Sequence, residues 1–284
     1  LVDEVVRRAS APLSLLRGRE HLPGALGDAA RGLGETLSAG MSEATPTPLN
    51  DDLGPHRRFD WTSIEIDAVK RVRKRFGGTL NDVVLAVVAG AVRKFLSERG
   101  IGVDELDFRA LVPVSVRTED EHGKLGNRVS TLMARLPLDE PDPAGRLARV
   151  VETTSELKGS GQALGGEALA KVADLVFPEF MTLFARMALR GLATNMVVTN
   201  VPGPQVPIYM LGARMLEVFP VVPLAARQAL GVALFSYDGR LFWGFNSDWD
   251  AVPDLHDFVE DIEQEFARLL ALAKDTPTRI TEEE

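Results

Sequence analysis

Apolar residues recur along the chain with two different spacings, and each spacing predicts a different element. The segment RFDWTSIEI alternates in the manner of a strand, whereas residues 67–76 have helical spacing with Lys and Arg on the open face. Thr79 precedes a long apolar run and Asp82 follows three residues later, which is the pattern of a capping box. Because residues 83–92 are apolar on every side, this second helix, ending before Gly100, is predicted to be buried all round.

The rest of the chain continues to alternate strands with helices. The segments FRALVPVSVR, RVSTLMARL and TNMVVTN predict strands, and Asp142 with Pro143 predicts the start of a helix that runs to Leu157. ALGVALFSY and RLFWGFN flank Asp238 and Gly239, which is a strong hairpin signal. Further helices are predicted over residues 167–177, over residues 180–192 and after Pro253.

The order of these elements predicts the fold class. They follow no strict strand–helix–strand rhythm, so we expect a mixed β-sheet covered by helices, of the α/β or α+β class. The first forty residues carry an apolar stripe at helical spacing that prolines and glycines interrupt, and a Pro-, Asn- and Asp-rich segment follows. We predict a helical linker over residues 1–45, one domain over residues 46–275 and a polar tail over residues 276–284.

Composition excludes several classes of function. Basic residues number 32 and acidic residues 41, and the resulting net charge of −9 opposes binding to nucleic acid. The chain has no cysteine, hence no disulfide, thiolate nucleophile or thiolate metal ligand. The longest apolar run, residues 83–92, is about half of a membrane span. The sequence starts LVDEVVRRAS, without methionine or a signal sequence, and we expect it to be a piece of a longer protein.

Several local motifs do not indicate a catalytic or ligand-binding function. The glycines of GSGQALG lack the spacing and the preceding strand of a dinucleotide-binding loop, and no P-loop or nucleophile-elbow sequence occurs. Asp248, Asp250 and Asp254 suggest either a cation site or, as we favour, turns and caps before the last helix. No histidine has zinc-ligand spacing, so we predict no metal site; the four are His21, His56, His122 and His256.

Five segments carry a family pattern in a fixed order: TLNDVVLAVVAGAVRKFL, ALVPVSVR, LGNRVS, VVTNVPGP and SYDGRLFWGFNSDWDAVPD. Together, over about residues 46–272, the chain resembles the second half of the bacterial wax ester synthase/diacylglycerol acyltransferase family. The resemblance implies the fold of CoA-dependent acyltransferases, in which two similar α/β subdomains enclose a tunnel. The family's HHxxxDG signature is absent, because no two histidines of this sequence are adjacent. The resemblance therefore implies a C-terminal subdomain whose histidine-bearing N-terminal half lies outside this sequence.

The resemblance implies transfer of a fatty acyl group from acyl-CoA to diacylglycerol or a long-chain alcohol, with acyl-CoA as a substrate and no cofactor. The general base is then a histidine of the N-terminal half, so we expect no catalytic base on this chain. The tetrahedral intermediate needs a hydrogen-bond donor, and the candidates are Thr199 and Asn200, just before the stiff PGP turn. The alternative for Asn200 is a structural role at the junction of strand and turn.

Two other groups of residues match family segments. Asn81 and Asp82 match an ND motif and, by the resemblance, hold the acceptor hydroxyl or orient the histidine segment of the other half. Their alternative role is to cap the helix that they begin. Ser115, Arg117 and Arg128 are candidates for binding CoA, since a guanidinium group suits a phosphate. The alternative for the arginines is an internal ion pair.

We therefore predict the C-terminal subdomain of an acyltransferase that is active only with its N-terminal half. The alternative is a non-catalytic lipid-binding or partner-docking module of the same fold. We expect a cytoplasmic protein with a bare apolar surface where the halves meet. The broken helices before Ser42 either lie on a membrane or lipid droplet or, as we favour, pack against the other half.

Overall fold

A computed structural model describes residues 44–115, 129–159 and 194–274 of the chain. The strands and helices predicted within these ranges are present, and the helices predicted over residues 167–177 and 180–192 lie outside them. The strands are β1 (Arg57–Glu65), β2 (Arg109–Ser115), β3 (Val129–Arg135), β4 (Met196–Pro202), β5 (Tyr209–Met210), β6 (Ala213–Arg214), β7 (Leu230–Tyr237) and β8 (Arg240–Asp248). The helices are α1 (Ile66–Phe76), α2 (Leu80–Glu98), α3 (Pro143–Gly159) and α4 (Leu255–Lys274), with a 3-10 turn at Pro48–Asn50.

Six of the strands form one mixed sheet in the order β1–β8–β7–β4–β2–β3. β7, β4 and β2 run parallel to one another, and the outer pairs are antiparallel. The mixed sheet predicted from the sequence is confirmed. Because parallel strands all point the same way, the carboxyl ends of β2, β4 and β7 lie at one edge of the sheet.

The hairpin of β7 and β8 forms around the two-residue turn that the sequence predicts. Asp238 and Gly239 have φ angles of 43° and 84°, and Tyr237 pairs with Arg240 directly across the turn. Two consecutive positive φ values are those of a type I′ turn, whose twist matches the twist of the strands it joins. The turn therefore fixes the register of this hairpin within the sheet.

Helix α2 lies at the centre of the helical layer. The predicted capping box is present: Thr79 Oγ1 accepts the N–H of Asp82 at 3.3 Å, and Asp82 Oδ2 accepts the N–H of Thr79 at 2.6 Å. Helices α1, α3 and α4 pack around α2, and residues of the sheet complete the same core. From Val83 to Val92 no apolar side chain is more than 3% exposed. The prediction of a helix buried all round is confirmed.

A buried ion pair joins α3 to α4 alongside α2. Nη1 of Arg146 donates to Oε2 of Glu265 at 2.8 Å, and the two side chains are only 2% and 6% exposed. Arg146 also donates to two backbone carbonyls in the loop before α3. Gly90 of α2 lies against this pair, and a methyl group at Gly90 would overlap both charged groups. The glycine therefore lets the helix pass the ion pair at close range.

Residues 217–224, here called the strap, cross the face of the sheet opposite the helices. A Cβ atom on Gly244 would overlap the carbonyl of Pro220, and one on Gly231 would lie 2.7 Å from a methyl group of Val222. Asn246 holds the strap by donating from Nδ2 to the carbonyl of Val222 at 3.0 Å. Two glycines in neighbouring strands thus give the strap room to lie flat on the sheet.

Residues 44–50, here called the anchor segment, are hydrogen-bonded to residues of the second half of the chain. The side chain of Asn195 is fully buried, and its Nδ2 donates to the carbonyl of Thr45 and to Oδ1 of Asn50, both at 2.8 Å. Leu49 is fully buried, and its carbonyl accepts the N–H of Ala229 at 2.7 Å. The anchor segment is therefore part of the same core as β4 and β7.

The acidic residues before α4 organise turns, which is the role that we favoured from the sequence. Asp248 accepts backbone N–H bonds from Gly54, Asp250 and Ala251 at 2.8 to 3.1 Å. Burial raises the pKa of Asp248, but these bonds outweigh it and hold the pKa below its usual value. Asp254 accepts two bonds from Arg99. The described part of the chain contains no group of three or more residues arranged to hold a metal ion.

Candidate functional site

Two of the predicted site residues meet where α2 begins and β4 ends. Asn81 lies in the first turn of α2, and Asn200 lies two residues before the end of β4. Nδ2 of Asn200 donates to Oδ1 of Asn81 at 2.6 Å, although the two residues are 119 positions apart. The structure thus brings together two residues that the sequence suggested separately.

The Asn81–Asn200 pair leaves one polar group of each side chain without a partner among the described residues. Oδ1 of Asn200 is buried and accepts no hydrogen bond there. Nδ2 of Asn81 likewise donates to no described residue. Rotating both amides by 180° preserves the bond and exchanges its direction. In either orientation the pair therefore presents one NH2 donor and one carbonyl acceptor.

A buried acceptor without a partner is uncommon, because most buried polar atoms in folded proteins are hydrogen-bonded. Such an atom typically costs about 1–3 kcal/mol, and a donor from a ligand would recover that free energy. The first turn of α2 adds the partial positive charge of a helix N-terminus beside Asn81. The pair can therefore bind a group that carries a developing negative charge together with a nearby N–H or O–H donor.

Asp82, the neighbour of Asn81, is engaged inside the chain. Its Oδ2 accepts bonds from the N–H and the hydroxyl of Thr79, and its Oδ1 accepts the hydroxyl of Thr154 at 2.7 Å. Asp82 thus ties the start of α2 to α3, which supports the capping role, and a contact with substrate stays a prediction. Nothing in the sequence points to Thr154, since its contact with Asp82 joins two different helices.

Thr199 lies on the other face of the sheet from Asn200, because successive strand residues point to opposite faces. Val198 and Asn200 face the helices, whereas the next residue of the opposite set, Val201, is 51% exposed. The side chain of Thr199 is half-buried and has no hydrogen-bond partner in the part of the chain that the structure describes. Thr199 therefore does not present its hydroxyl at the Asn81–Asn200 pair, and its role as an oxyanion donor stays a prediction.

The candidates for binding CoA are at the border of the described ranges. Ser115 is the last residue of β2, which ends at the same edge of the sheet as β4. Its side chain, Arg117 and Arg128 lie outside the described residues. Their role toward CoA stays a prediction.

His256 does not supply a base to the Asn81–Asn200 pair. It lies exposed on α4, where its Nδ1 is 2.7 Å from Oδ2 of Asp60 on β1. Two strands, β8 and β7, separate β1 from β4 in the sheet. The other histidine within the described ranges, His56, directly precedes β1 and is equally distant in the sheet order. The pair and the described histidines therefore belong to different parts of the surface.

The segment that follows β4 exposes many apolar side chains. Leu211 is fully exposed at the tip of the β5–β6 hairpin, with a φ of 51°. Apolar surface of this kind typically marks a site of contact with a protein or a lipid. The exposed apolar segment, residues 201–221, includes Val201, Val206, Ile208, Tyr209, Met210, Leu211, Leu216 and Val221. No helix within the described ranges is both long enough and apolar enough to cross a membrane.

Two family models match the chain. Residues 125–270 match the WS/DGAT C-terminal domain, and residues 2–84 match the wax ester synthase/diacylglycerol acyltransferase catalytic domain. The first of these models alone covers half of the chain.

Curated relatives and a solved structure agree with these matches. The chain is 36% identical over 252 residues to a probable diacylglycerol O-acyltransferase, tgs1, of Mycobacterium tuberculosis, covering 87% of this chain and 53% of the relative. It is 28% identical over 234 residues to the O-acyltransferase WSD of Acinetobacter baylyi, covering 81% of this chain and 50% of the relative. The solved wax ester synthase/diacylglycerol acyltransferase of Marinobacter aquaeolei has a TM-score of 0.62 at 26% identity, over 89% of this chain and 58% of that one.

The chain spans about half the length of the curated relatives that it matches. The matched segments include the ND motif and the strand of Asn200, which the structure brings into contact. Sequence identity, the family models and the fold all give the same assignment. The chain belongs to the wax ester synthase/diacylglycerol acyltransferase family.

Proposed function

We propose that the chain is the C-terminal part of an acyltransferase that moves a fatty acyl group from acyl-CoA to diacylglycerol or a long-chain alcohol. The names of its relatives support the class of reaction. The observation in the structure that carries the proposal is the Asn81–Asn200 pair, with its unpartnered donor and acceptor. Acyl-CoA is a substrate in this reaction, which uses no cofactor.

In the proposed reaction, a histidine of the HHxxxDG signature takes the proton of the acceptor hydroxyl as the hydroxyl oxygen attacks the thioester carbonyl. The carbonyl oxygen becomes an oxyanion, the carbon–sulfur bond then breaks, and the thiolate of CoA receives the proton back from the histidine. No two histidines of this sequence are adjacent, so the N-terminal half of the enzyme supplies the signature.

In this scheme the Asn81–Asn200 pair stabilises the negative charge of the oxyanion and fixes the orientation of the group that donates to it. The NH2 group of Asn81 donates to the oxyanion, an interaction that is commonly worth a factor of about 10² to 10³ in rate. Asn200 is a positioning residue, because its hydrogen bond fixes the orientation of the Asn81 amide. The free carbonyl oxygen of Asn200 accepts an N–H from the histidine segment of the other half.

The N-terminal half docks, in this proposal, on the exposed apolar segment of residues 201–221. That segment starts at the end of β4, immediately after Asn200, so a subdomain covering it would also enclose the Asn81–Asn200 pair. The acceptor lipids reside in membranes or lipid droplets, and we propose that the assembled enzyme contacts such a surface peripherally.

The test is an amide scan in the complete enzyme. Replacing Asn81 with Ala should lower kcat by at least about tenfold, because the oxyanion loses a preorganised donor. Asn200→Ala should lower kcat by a comparable factor with little change in KM. The double variant should be no slower than Asn81→Ala alone, since the two residues act as one unit. Steady-state rates of the three variants measure these effects.

Asn246→Ala is the matched control, because Asn246 also lies in a strand and donates one bond, to the carbonyl of Val222 in the strap. We expect it to leave kcat unchanged. Melting temperatures of all variants separate rate effects from folding effects. If Asn200→Ala lost stability while the rate per folded molecule stayed the same, the role of Asn200 would be structural and the assignment would be abandoned.

A further inference from the structure

The exposed face of α1 carries a concentration of positive charge. Five of its eleven residues are basic and only Asp67 is acidic, in a chain of net charge −9. Asp67 pairs with Lys70 at 2.9 Å, and no other ion pair involves α1 in the described part of the chain. The basic face consists of Lys70, Arg71, Arg73, Lys74 and Arg75, all of them exposed.

The fold holds this face outward. Ala68, Val69 and Val72 are buried in the core, so α1 lies flat on the protein with its basic side toward the surroundings. Successive helix residues are about 100° apart, which places Arg73 and Arg75 about 160° from each other around the axis. The cations therefore spread over a convex surface that extends about 8 Å along the helix axis. Cations that diverge in this way suit an extended layer of negative charge better than one small anion, which needs groups that converge.

We propose that the basic face of α1 docks the enzyme on a bilayer that contains anionic phospholipids. A bilayer presents a planar layer of phosphate groups that several cations of a convex basic face can contact. The rest of the chain has a net negative charge, which the anionic bilayer repels. Contact through α1 would therefore both bind the molecule to the bilayer and fix its orientation there. The inference rests on the proposed function in one respect: the lipid acceptor is dissolved in such a bilayer.

Vesicle sedimentation of the full chain tests the proposal. Vesicles of phosphatidylcholine with about 30% phosphatidylglycerol should bind the chain, and vesicles of phosphatidylcholine alone should bind it far more weakly. Each basic residue near an anionic surface strengthens binding about fivefold. The variant Arg71→Gln/Lys74→Gln/Arg75→Gln should therefore bind on the order of a hundredfold more weakly. Raising the salt from about 0.1 M to 0.5 M should weaken binding of the unchanged chain, because the charges are exposed.

The control variant, Arg135→Gln/Arg214→Gln/Lys274→Gln, removes the same number of charges at exposed positions outside α1. It should bind anionic vesicles like the unchanged chain, and melting temperatures should show that both variants fold. Equal binding of the two triple variants would overturn the proposal. So would complete displacement of the chain by millimolar free CoA, which would assign the basic face to a nucleotide phosphate. This assay measures vesicle binding and no acyl transfer, so its failure would reject the docking proposal and leave the proposed function, which the amide scan tests, unaffected.

Discussion

Gly90 is the residue of α2 at which a side chain has no room. At an ordinary position inside a helix, replacing Gly with Ala raises the free energy of unfolding by about 1 kcal/mol. At Gly90 the new methyl group would overlap Glu265 and Arg146, and separating such a buried pair typically costs about 3–5 kcal/mol. We expect Gly90→Ala to lower the free energy of unfolding by about 2–4 kcal/mol, measured by urea denaturation.

Gly145→Ala in the first turn of α3 is the matched control. Its Cβ would meet only the flexible ends of Glu140 and Asp142, at 3.1 to 3.4 Å. We expect this substitution to be neutral or stabilising by up to about 1 kcal/mol. Equal effects of the two substitutions would mean that the ion pair can move aside at little cost.

At the residue scale, sequence reasoning found both members of the Asn81–Asn200 pair but not the pair itself. Asn81 stands beside a capping box and Asn200 beside the PGP turn, and both of those signals are local. Their contact spans 119 positions and depends on the order of strands in the sheet. The need for glycine at position 90 was equally unpredictable, because the charged groups that leave no room for a methyl group come from α3 and α4.

The contact between β1 and α4 depends on pH through His256. Its hydrogen bond with Asp60 and the charge of that carboxylate raise the pKa of His256 above its usual 6.5. The unfolded chain has the usual value, so the stabilisation is complete below pH 6.5 and is lost as the pH rises through the raised value. An NMR titration should give His256 a pKa above 6.5. The variant Asp60→Asn should return it toward 6.5, and a midpoint at or below 6.5 in the unchanged chain would contradict this account.

At the element scale, the helices and strands were predictable because their signals are short in range. The capping box of α2, the turn at Asp238 and Gly239, and the periodicity of α4 all lie within the elements they define. The position of the strap was not predictable, since its Pro-rich sequence shows no period. The glycines that make room for it, Gly231 and Gly244, have meaning only once β7 and β8 are paired.

At the scale of the whole molecule, the proposed reaction uses a histidine of the HHxxxDG signature, which this sequence does not contain. We expect the 284-residue chain alone to release no CoA from acyl-CoA and an alcohol, and to gain activity when the N-terminal half is supplied. The chain has no cysteine, so a thiol reagent reports released CoA without background from it. An N-terminal half with its histidine pair replaced by alanine is the control and should restore nothing. Turnover by the chain alone would refute the requirement.

The fold class of the molecule was predictable, but the contacts between segments far apart in the sequence were not. Alternating elements without a strict rhythm indicated a mixed sheet covered by helices. That pattern does not predict the contacts of the anchor segment. Asn195 and Ala229, which hydrogen-bond to it, are more than 140 positions away in the sequence. Such contacts are set by the completed fold, and no window of neighbouring residues contains them.

The burial of α2 on all sides has a consequence for how relatives of this chain can recombine. The anchor segment, β1, α1 and α2 come early in the chain, but they pack against β7, β8 and α4 from its other end. A crossover between two homologous genes within residues 44–98 would join a helix from one parent to a core shaped by the other. Crossovers that preserve function should therefore fall before Ala44, because all of the elements that form the core then come from the same parent.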